Sequence, residues 1–467
     1  MYRMSAELTD HPVDNIGIEA RGIERVSPEE RNHVRIFDNF TLWLSANLVI
    51  STVSLGSLAI NVFKLGFWDG LAAIIIFNAL GVLPVAFFST LGPKLGLRQM
   101  TISRFSFGWI GAIIMAVFNV LAGMGWSAVN AILGGQLLFS VSNGSVPTSV
   151  GILIIAGLTT WVSIYGYKYV HRYERYAWFP MLFIFSAIFF VSAPNFQFVG
   201  SSVSGVKQLA AFVSFGGAIY GFATGWSSYA ADYNVNQPED TPPKRVFQLT
   251  FLGVFIPCVL LETLGLALTT VPAFKGRGGA ELIVSAVNPM GLFGALMLVL
   301  LALSVVANNI PNHYSFALSM QLLRDRFQRM DRTVWTLIGA MIYVAIALSA
   351  ANNFDKTLKS FLLLIGYWLG PWSIILILEH FVFRRGQYNV EDWDEPSELP
   401  IGWAAIASMV IGLLGVFLGA AQQKFVGLIA GLVNPPFGMD VGFELGIIFA
   451  GIAYYFLRQI ELKISQR

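Results

Sequence analysis

Charged side chains are scarce in this chain of 467 residues, at 12% of the total, whereas soluble globular domains carry about 25%. The single cysteine, Cys258, excludes disulfide bonds within the chain and any cysteine cluster for a metal. The sequence also lacks a Walker loop, a nucleotide fingerprint, a hydrolytic motif and metal-ligand spacing. These absences argue against an enzyme, a bound metal and a nucleotide cofactor.

Apolar residues, in contrast, make up 55% of the chain. They are concentrated in runs of about 20 residues, the length that a hydrocarbon core about 30 Å thick requires of a helix. The sequence therefore predicts an all-α integral membrane protein with about twelve transmembrane helices, numbered here as spans 1 to 12. The spans are predicted at 39–63, 67–91, 108–139, 149–167, 176–193, 209–231, 247–272, 291–321, 333–350, 357–383, 401–420 and 441–458.

The basic residues predict the orientation of the chain. With twelve spans and an inner N-terminus, the inner segments hold 22 of the 29 Lys and Arg residues and the outer segments hold 7. This excess follows the positive-inside rule, and an odd number of spans would remove it. We therefore expect both termini in the cytoplasm and the protein in the plasma (cell inner) membrane. The residues before span 1 mix acids and bases, unlike a signal or transit peptide, and predict a soluble tail.

Spans 1 and 6 contain hydroxyls, amides and glycines inside apolar runs. Span 1 reads NLVISTVSLGSLAIN, and span 6 reads FVSFGGAIYGFATGWSSY, in which Gly225 precedes Trp226. Freed backbone groups at membrane depth are tolerated only against protein or a water-filled cavity. Two interrupted spans five helices apart therefore predict two halves of inverted topology, with a binding site at the interruptions. Close helix packing through glycine is the alternative explanation.

Span 3 carries an aromatic and an amide one helical turn apart. Trp126 and Asn130 project from the same face of a helix. An indole beside a carboxamide can stack on a flat ligand and hydrogen-bond its edge, which favours a binding role. The alternative is a tryptophan at the membrane interface.

Span 8 concentrates polar residues around Pro311, in the stretch ANNIPNH. Buried polar groups without partners cost about 1 to 3 kcal/mol each, so this cluster must satisfy itself or face a cavity. The set favours a site, although His313 taken alone is more typical of a packing histidine than of a proton carrier. The polar members are Asn308, Asn309, Asn312 and His313.

Ionisable residues inside the spans are few, and each is a functional candidate by default. Glu262 lies near the centre of span 7 and is either a protonatable coupling residue or a neutral acid hydrogen-bonded within the bundle. Four carboxylates near span ends are expected to be solvated anchors. They are Asp38, Asp69, Asp232 and Glu379.

Five stretches resemble the nucleobase:cation symporter-1 family, in its purine-cytosine permease branch. They are GIEARGIERVSPEERNH, LGPKLGLRQMTISRFSFG, GMGWSAVN, GWSSYAADYNVNQPEDTPPKRVF and ANNIPNHYSFALSMQ. The resemblance implies a leucine-transporter-type fold with a five-plus-five inverted repeat and two added C-terminal helices. The expected units are a tail at 1–37, repeats at 38–193 and 209–383, a cytoplasmic linker at 384–400, and the last two helices with a short tail at 401–467.

The resemblance also implies where the substrate binds. In this family an aromatic residue of span 3 and one of span 6 hold the base between them. Amides of spans 3 and 8 read its edge, and a serine at the interruption of span 1 contributes. The matching residues are Trp126, Trp226, Asn130, Asn312 with Asn309 as the alternative, Ser54 with Ser51 as the alternative, and Gly225 at the span 6 interruption.

The function implied by the resemblance is a secondary symporter that imports cytosine, adenine, hypoxanthine or guanine with a cation. Sodium-coupled members use carbonyls of span 1 and hydroxyls of span 8 before the asparagine, where this chain offers only Ser304. We therefore expect H⁺ rather than Na⁺, with Glu262, Ser304 and His313 as coupling candidates.

Alternative substrates within the same family are allantoin, uracil, a hydantoin or a pyridine-type vitamin, with Na⁺ as the alternative cation. A channel fits less well because the polar residues cluster at one depth in four spans. The expected partners are thus a nucleobase, a cation and the lipid bilayer, without nucleic acid or cofactor.

Overall fold

The computed structural model describes residues 23–165, 167–323 and 332–465. Each of the twelve predicted spans coincides with a helix or with a pair of helices. The helices are α1 Asp38–Asn47, α2 Ile50–Asn61, α3 Phe67–Ser89, α4 Leu91–Leu95, α5 Gln99–Ile102, α6 Arg104–Val141, α7 Thr148–Tyr165, α8 Tyr167–Ser192, α9 Val206–Thr224, α10 Pro243–Leu268, α11 Gly279–Val287, α12 Leu292–Leu323, α13 Arg332–Ala350, α14 Phe354–Leu378, α15 Trp403–Gly419 and α16 Gly442–Ser465. Two short strands, β1 Ala421–Gln422 and β2 Phe425–Val426, pair antiparallel.

Within the described residues, eight helices are long and apolar enough to cross a membrane, or nine if the bent pair α1 and α2 is one span. One of the eight is the run Thr333–Phe383, which contains both α13 and α14. Helices α7 and α15 are apolar but shorter. The all-α membrane fold is therefore confirmed, and the number of twelve crossings remains a prediction.

The predicted interruption of span 1 is a bend between α1 and α2. The two helices meet at 54°. Val49 is extended, with φ −136° and ψ 160°, so the helical hydrogen bonding stops between Asn47 and Ile50. The hydroxyl of Thr52 donates to the carbonyl of Asn47 at 2.8 Å. This bond satisfies a backbone acceptor that the bend removes from the helix.

The predicted interruption of span 6 is a change of helix type. Helix α9 ends at Thr224, and the chain continues as a 3-10 helix over Gly225–Tyr233. One turn earlier, Gly221 lies so close to α14 that a Cβ would come within 1.9 Å of the carbonyl oxygen of Leu362. Glycine is required there because the obstacle is backbone. Span 6 is therefore packed tightly against α14 one turn before its interruption.

Spans 3 and 8 are the long helices α6 and α12, which pack along each other. Asn119 on α6 donates to the hydroxyls of Ser315 at 3.2 Å and Ser319 at 2.9 Å on α12. The C-terminal helices α15 and α16 pack against each other and against α14. Tyr220 of α9 stacks on Phe443 of α16, with ring centroids 4.0 Å apart.

The described part of the expected tail, from residue 23, packs on the loops at one end of the bundle. The amide of Val26 donates to the carbonyl of Gly96 at 2.9 Å, and the amide of His33 donates to that of Asn236 at 2.9 Å. The buried guanidinium of Arg31 donates to the carbonyls of Val26 at 3.0 Å and Pro93 at 2.7 Å. Burial lowers the pKa of Arg31. Residues 1–22 of the expected tail lie outside the described residues.

Two carboxylates expected to be solvated are buried, and that expectation was wrong for them. Glu379 is 1% exposed and accepts hydrogen bonds from Arg384, Tyr454 and Arg458. Asp232 is 8% exposed and accepts the amide of Gln99 at 2.6 Å. A position near the end of a span does not reveal which other segments cover it. The remaining two, Asp38 and Asp69, are half-buried.

Candidate functional site

A small cavity lies where the interruptions of spans 1 and 6 face α6 and α12. The cavity therefore brings together the four spans whose polar residues stood out in the sequence. Its lining residues are Ala46, Val49, Ser51, Trp126, Phe222, Gly225, Trp226, Tyr229, Asn308 and Asn312.

Trp126 forms one aromatic wall of the cavity and is tightly held. Its ring packs edge-on against Phe222, with centroids 5.4 Å apart, and against Phe361, with centroids 5.0 Å apart. On a third side lies Gly225, where a Cβ would come within 3.1 Å of Trp126 Cζ2. Gly225 therefore allows the interrupted part of span 6 to approach the indole.

Trp226 forms a second aromatic wall, at the first turn of the 3-10 helix. Its ring packs edge-on against Trp43, with centroids 5.4 Å apart, and against Tyr229, with centroids 5.8 Å apart. Its Nε1 donates to Oδ1 of Asn47 at 3.0 Å. The donor of this indole is thus used within the protein, and the half-buried ring remains available to the cavity.

A network of carboxamides connects α6 with α12. Asn130 Nδ2 donates to Oδ1 of Asn308 at 2.8 Å and to Oδ1 of Asn309 at 3.0 Å. Asn312 Nδ2 also donates to Oδ1 of Asn309, at 3.3 Å, and Asn308 Nδ2 donates to the carbonyl of Ala46 at 2.7 Å. Asn308 and Asn312 line the cavity, whereas Asn130 and Asn309 lie behind them. The network couples the two rear amides to the two that a ligand would meet.

Of the two serines considered in span 1, Ser51 lines the cavity and Ser54 does not. The buried hydroxyl of Ser54 donates to the carbonyl of Ile50 at 2.9 Å, one turn earlier in α2. Because α2 resumes at Ile50, Ser51 lies in its first turn, beside the bend.

The three coupling candidates also lie outside the cavity lining. Glu262 on α10 is fully buried, and its Oε2 accepts from Asn78 Nδ2 at 2.6 Å. The hydroxyl of Ser304 donates to the carbonyl of Leu301 at 2.7 Å. The ring of His313 lies 5.2 Å from that of Tyr343, measured between centroids.

Sequence reasoning assigned no role to four residues at the cavity, of which three line it and one, Asn47, bonds to its lining. Phe222 and Tyr229 lie four residues before and three after Trp226, a spacing that could have placed them on the same face. Asn308 was one member of the amide cluster without a role of its own. Asn47 had no signal beyond its polarity inside span 1.

Comparison with known proteins adds independent findings. The family model described as permease for cytosine/purines, uracil, thiamine, allantoin matches residues 26–446. The chain is 43% identical to purine-cytosine permease fcyB of Emericella nidulans, over 100% of this chain and 92% of that protein. It is 32% identical to vitamin B6 transporter TPN1 of Saccharomyces cerevisiae, over 97% of this chain and 89% of that protein.

Among solved structures, the fold matches that of Mhp1, a nucleobase-cation-symport-1 family transporter in a closed conformation with bromovinylhydantoin bound. The TM-score is 0.74 at 15% identity, and the match covers 95% of each chain. At this identity the match supports the fold alone.

Proposed function

Because the chain belongs to the family of permeases for cytosine/purines, uracil, thiamine and allantoin, we propose that it imports cytosine or purine bases together with a cation. It is a membrane transporter and not an enzyme. The observation that carries the proposal is the cavity in which two indoles and two carboxamides meet. The 43% identity to a purine-cytosine permease supports the same substrate class.

In this proposal the two tryptophans supply affinity. A planar base offers two π faces, and stacking on aromatic side chains is worth about 1 to 3 kcal/mol per base. Trp126 and Trp226 line the cavity from different elements, α6 and the 3-10 helix. Because every base has a π face, stacking alone does not distinguish one base from another.

The carboxamides supply selectivity in this proposal. An amide presents both a donor and an acceptor, which suits the alternating donors and acceptors on the edge of a base. Asn308 and Asn312 would read the edge directly, and Asn130 and Asn309 would hold them in place through the network. A site built in this way rejects a ligand that leaves its buried polar groups unpaired. Ser51 is the serine of span 1 placed to contribute.

Transport requires the cavity to open to each side in turn. A second cavity is lined by residues of the described tail, of α1 and of the loop after the 3-10 helix, most of them polar, and also by Tyr233. Trp43 is fully buried and lies between the two cavities, 5.4 Å from the ring of Trp226 and 5.3 Å from that of Tyr233. We assign Trp43 as the barrier that moves when the substrate is released to the second cavity.

The domain units and the orientation belong to the same proposal. Repeats at 38–193 and 209–383 each begin with an interrupted span, and 384–400 and 401–467 would serve as linker and support. The distribution of basic residues supports cytoplasmic termini and a plasma-membrane location. Rocking of one bundle against the other would use the two interruptions as the flexible points.

We propose H⁺ as the coupled cation. Span 8 offers one hydroxyl before its asparagines within the described residues, on Ser304, which donates to the carbonyl of Leu301 at 2.7 Å. One hydroxyl supplies few of the several oxygen ligands that Na⁺ takes. Glu262 is the preferred proton carrier because it is a fully buried acid with a single amide partner on Oε2. A cation drives uptake only by binding one conformation better than the other.

The experiment that tests the proposal is uptake of labelled cytosine in cells that lack their own base uptake. Adenine, hypoxanthine and guanine are expected to compete, and uptake is expected to collapse with a protonophore and to ignore replacement of sodium by choline. Trp126→Ala and Asn130→Ala should each abolish high-affinity uptake while the protein still reaches the membrane. Wild-type uptake in either variant would refute the binding site, and strict sodium dependence would refute the proton assignment.

A second candidate substrate is a pyridine-type vitamin, favoured by the 32% identity to a vitamin B6 transporter. Its ring is also flat and polar at the edge, so the same two indoles could hold it. Allantoin, uracil and hydantoins complete the competition panel. Competition by the vitamin but not by any base would replace the proposed substrate and keep the site.

A further inference from the structure

We propose that Asn47 is a positioning residue that orients the indole of Trp226 toward the substrate, an inference that rests on the proposed function. Asn47 is the last residue of α1, is fully buried and does not line the cavity. It therefore acts on a ligand only through its neighbours. The neighbour that lines the cavity and bonds to its side chain is Trp226.

The hydrogen bonds of Asn47 determine which way its amide faces. Nδ2 donates to the carbonyl of Trp43 at 2.9 Å. A carbonyl only accepts, so the amide nitrogen must face Trp43 and the oxygen must face Trp226. The indole Nε1, which only donates, then meets Oδ1 at 3.0 Å. Both ends of the amide are thus held by groups that cannot exchange roles.

This bond keeps the donor of Trp226 away from the cavity. The neighbouring rings of Trp43 and Tyr229 restrict the indole by shape alone. Without an acceptor at Asn47, Nε1 would lose its partner, and a turned indole that pointed Nε1 into the cavity would become competitive. Such an indole would offer the substrate a misplaced donor in place of a π face.

Asn47 also links Trp226 to the bend of span 1. Its own carbonyl accepts the hydroxyl of Thr52 across the bend at 2.8 Å. One residue therefore connects the interruption of span 1 with the aromatic wall supplied by span 6. Its Oδ1 has a second donor, Sγ of Cys258 at 3.5 Å, which does not reach the cavity and provides a matched control.

The test is a double-mutant cycle read as KM, Vmax and protein at the cell surface. Asn47→Leu preserves the size of the side chain and removes the acceptor, and we expect KM to rise by up to about 5- to 150-fold, the range for about 1 to 3 kcal/mol lost when a polar group is left unpaired. Vmax per surface molecule should change less than about twofold, since the lost interaction acts on binding. Trp226→Phe removes the donor and keeps an aromatic face. In that background Asn47→Leu should add less than about twofold, because the bond is already absent.

The controls separate positioning from general damage. Cys258→Ala removes the other donor to Oδ1 and should leave KM within about twofold of wild type. Asn47→Asp, compared with wild type at each pH of the same acidic series, keeps an acceptor in place once the acid is protonated and should there have a KM within about threefold of wild type. If Asn47→Leu is retained inside the cell, the KM of Asn47→Asp still tests whether an acceptor at position 47 is what substrate binding requires.

Three results would overturn the inference: an unchanged KM in Asn47→Leu, an equal rise in the Trp226→Phe background, or a large rise in Asn47→Asp. The assay uses whichever compound the wild type carries. A wild type that takes up no compound of the panel overturns the proposed function and this inference with it. If the wild type takes up a compound of the panel and Asn47→Leu has an unchanged KM for it, this inference alone is overturned.

Discussion

Gly225→Ala adds one methyl group beside the cavity and tests whether this glycine sets the position of Trp126. The added Cβ would lie 3.1 Å from Cζ2, 3.4 Å from Nε1 and 3.5 Å from Cε2 of Trp126. The backbone there has φ −51° and ψ −30°, which alanine adopts readily. The perturbation is therefore a contact with the indole and not a change of backbone conformation.

The magnitude follows from the space around Trp126. Carbon atoms prefer separations of about 3.5 to 4.0 Å, so the closest contact is about 0.4 to 0.9 Å too short. Phe222 and Phe361 block the indole on two other sides, so it must yield toward the cavity. Overpacking of this kind costs about 1 to 3 kcal/mol. Because bound substrate needs the indole in its original position, binding loses up to that free energy, a rise in KM of about 5- to 150-fold.

The loss of stability is expected to be smaller than the cost of the contact. Replacing glycine by alanine where the backbone conformation is compatible stabilises a protein by about 0.4 to 1 kcal/mol, because the unfolded chain loses freedom. This gain offsets part of the overpacking cost, so Gly225→Ala should still reach the membrane. Because KM does not depend on the amount of protein, a rise in KM identifies an effect on the site.

Two other glycines provide matched controls. At Gly123, one turn before Trp126 on α6, a Cβ would lie 3.5 Å from the carbonyl oxygen of Asn312, an ordinary contact, so Gly123→Ala should keep KM within about twofold. At Gly221 a Cβ would lie 1.9 Å from the carbonyl oxygen of Leu362, so Gly221→Ala should fail to accumulate at the membrane.

The assay is concentration-dependent uptake of labelled cytosine, normalised to surface protein, for all three variants. If Gly225→Ala has the wild-type KM, Trp126 does not depend on this glycine for its position. If Gly123→Ala raises KM as much as Gly225→Ala does, any added bulk near the site is sufficient. Either result refutes the reasoning.

Two further predictions concern buried carboxylates. Glu262→Gln keeps the size of the side chain and an acceptor for Asn78 but carries no titratable proton. Concentrative, pH-dependent uptake should therefore be lost while exchange of substrate persists. Uptake that keeps the wild-type pH profile would show that Glu262 is a structural acid. Arg458→Leu removes the shared partner of Glu379 and Glu461, which are both buried, and should destabilise the fold by about 3 to 5 kcal/mol, seen as a lower melting temperature in detergent at unchanged KM. The exposed Lys463 on the same helix is its control, and equal melting of Lys463→Leu and Arg458→Leu would contradict the argument.

The fold was predictable because its signals are local. Apolar runs of membrane length predicted the helices that coincide with the twelve spans but not the short helices α4, α5 and α11, and the clusters of glycine and hydroxyls marked the two interruptions. Gly225 is the clearest case, since the change from α-helix to 3-10 helix begins at that residue. The positions of Trp126 and Trp226 at the cavity were also predictable, because Trp126 lies one turn from Asn130 and Trp226 follows Gly225, and ordinary membrane helices avoid such polar groups and interruptions.

The finer assignments depended on packing between distant segments. Whether Ser51 or Ser54 faces the cavity depends on where the helix resumes after the bend, and α2 resumes at Ile50. Glu379 is covered by Arg458, which comes 79 residues later in the chain. The pattern of apolar residues within one span reveals neither where a helix resumes after a bend nor which distant segment packs on it.

The amide network links residues behind the cavity to residues that line it. Asn308 is held from both sides, since it accepts from Asn130 and donates to the carbonyl of Ala46. Asn312 is tied through Asn309 to the same Asn130. A change at Asn130 therefore alters both cavity amides without altering the lining itself. On the proposed function, substitutions behind the cavity should therefore change selectivity, while stacking on the two indoles, which does not distinguish one base from another, should change less.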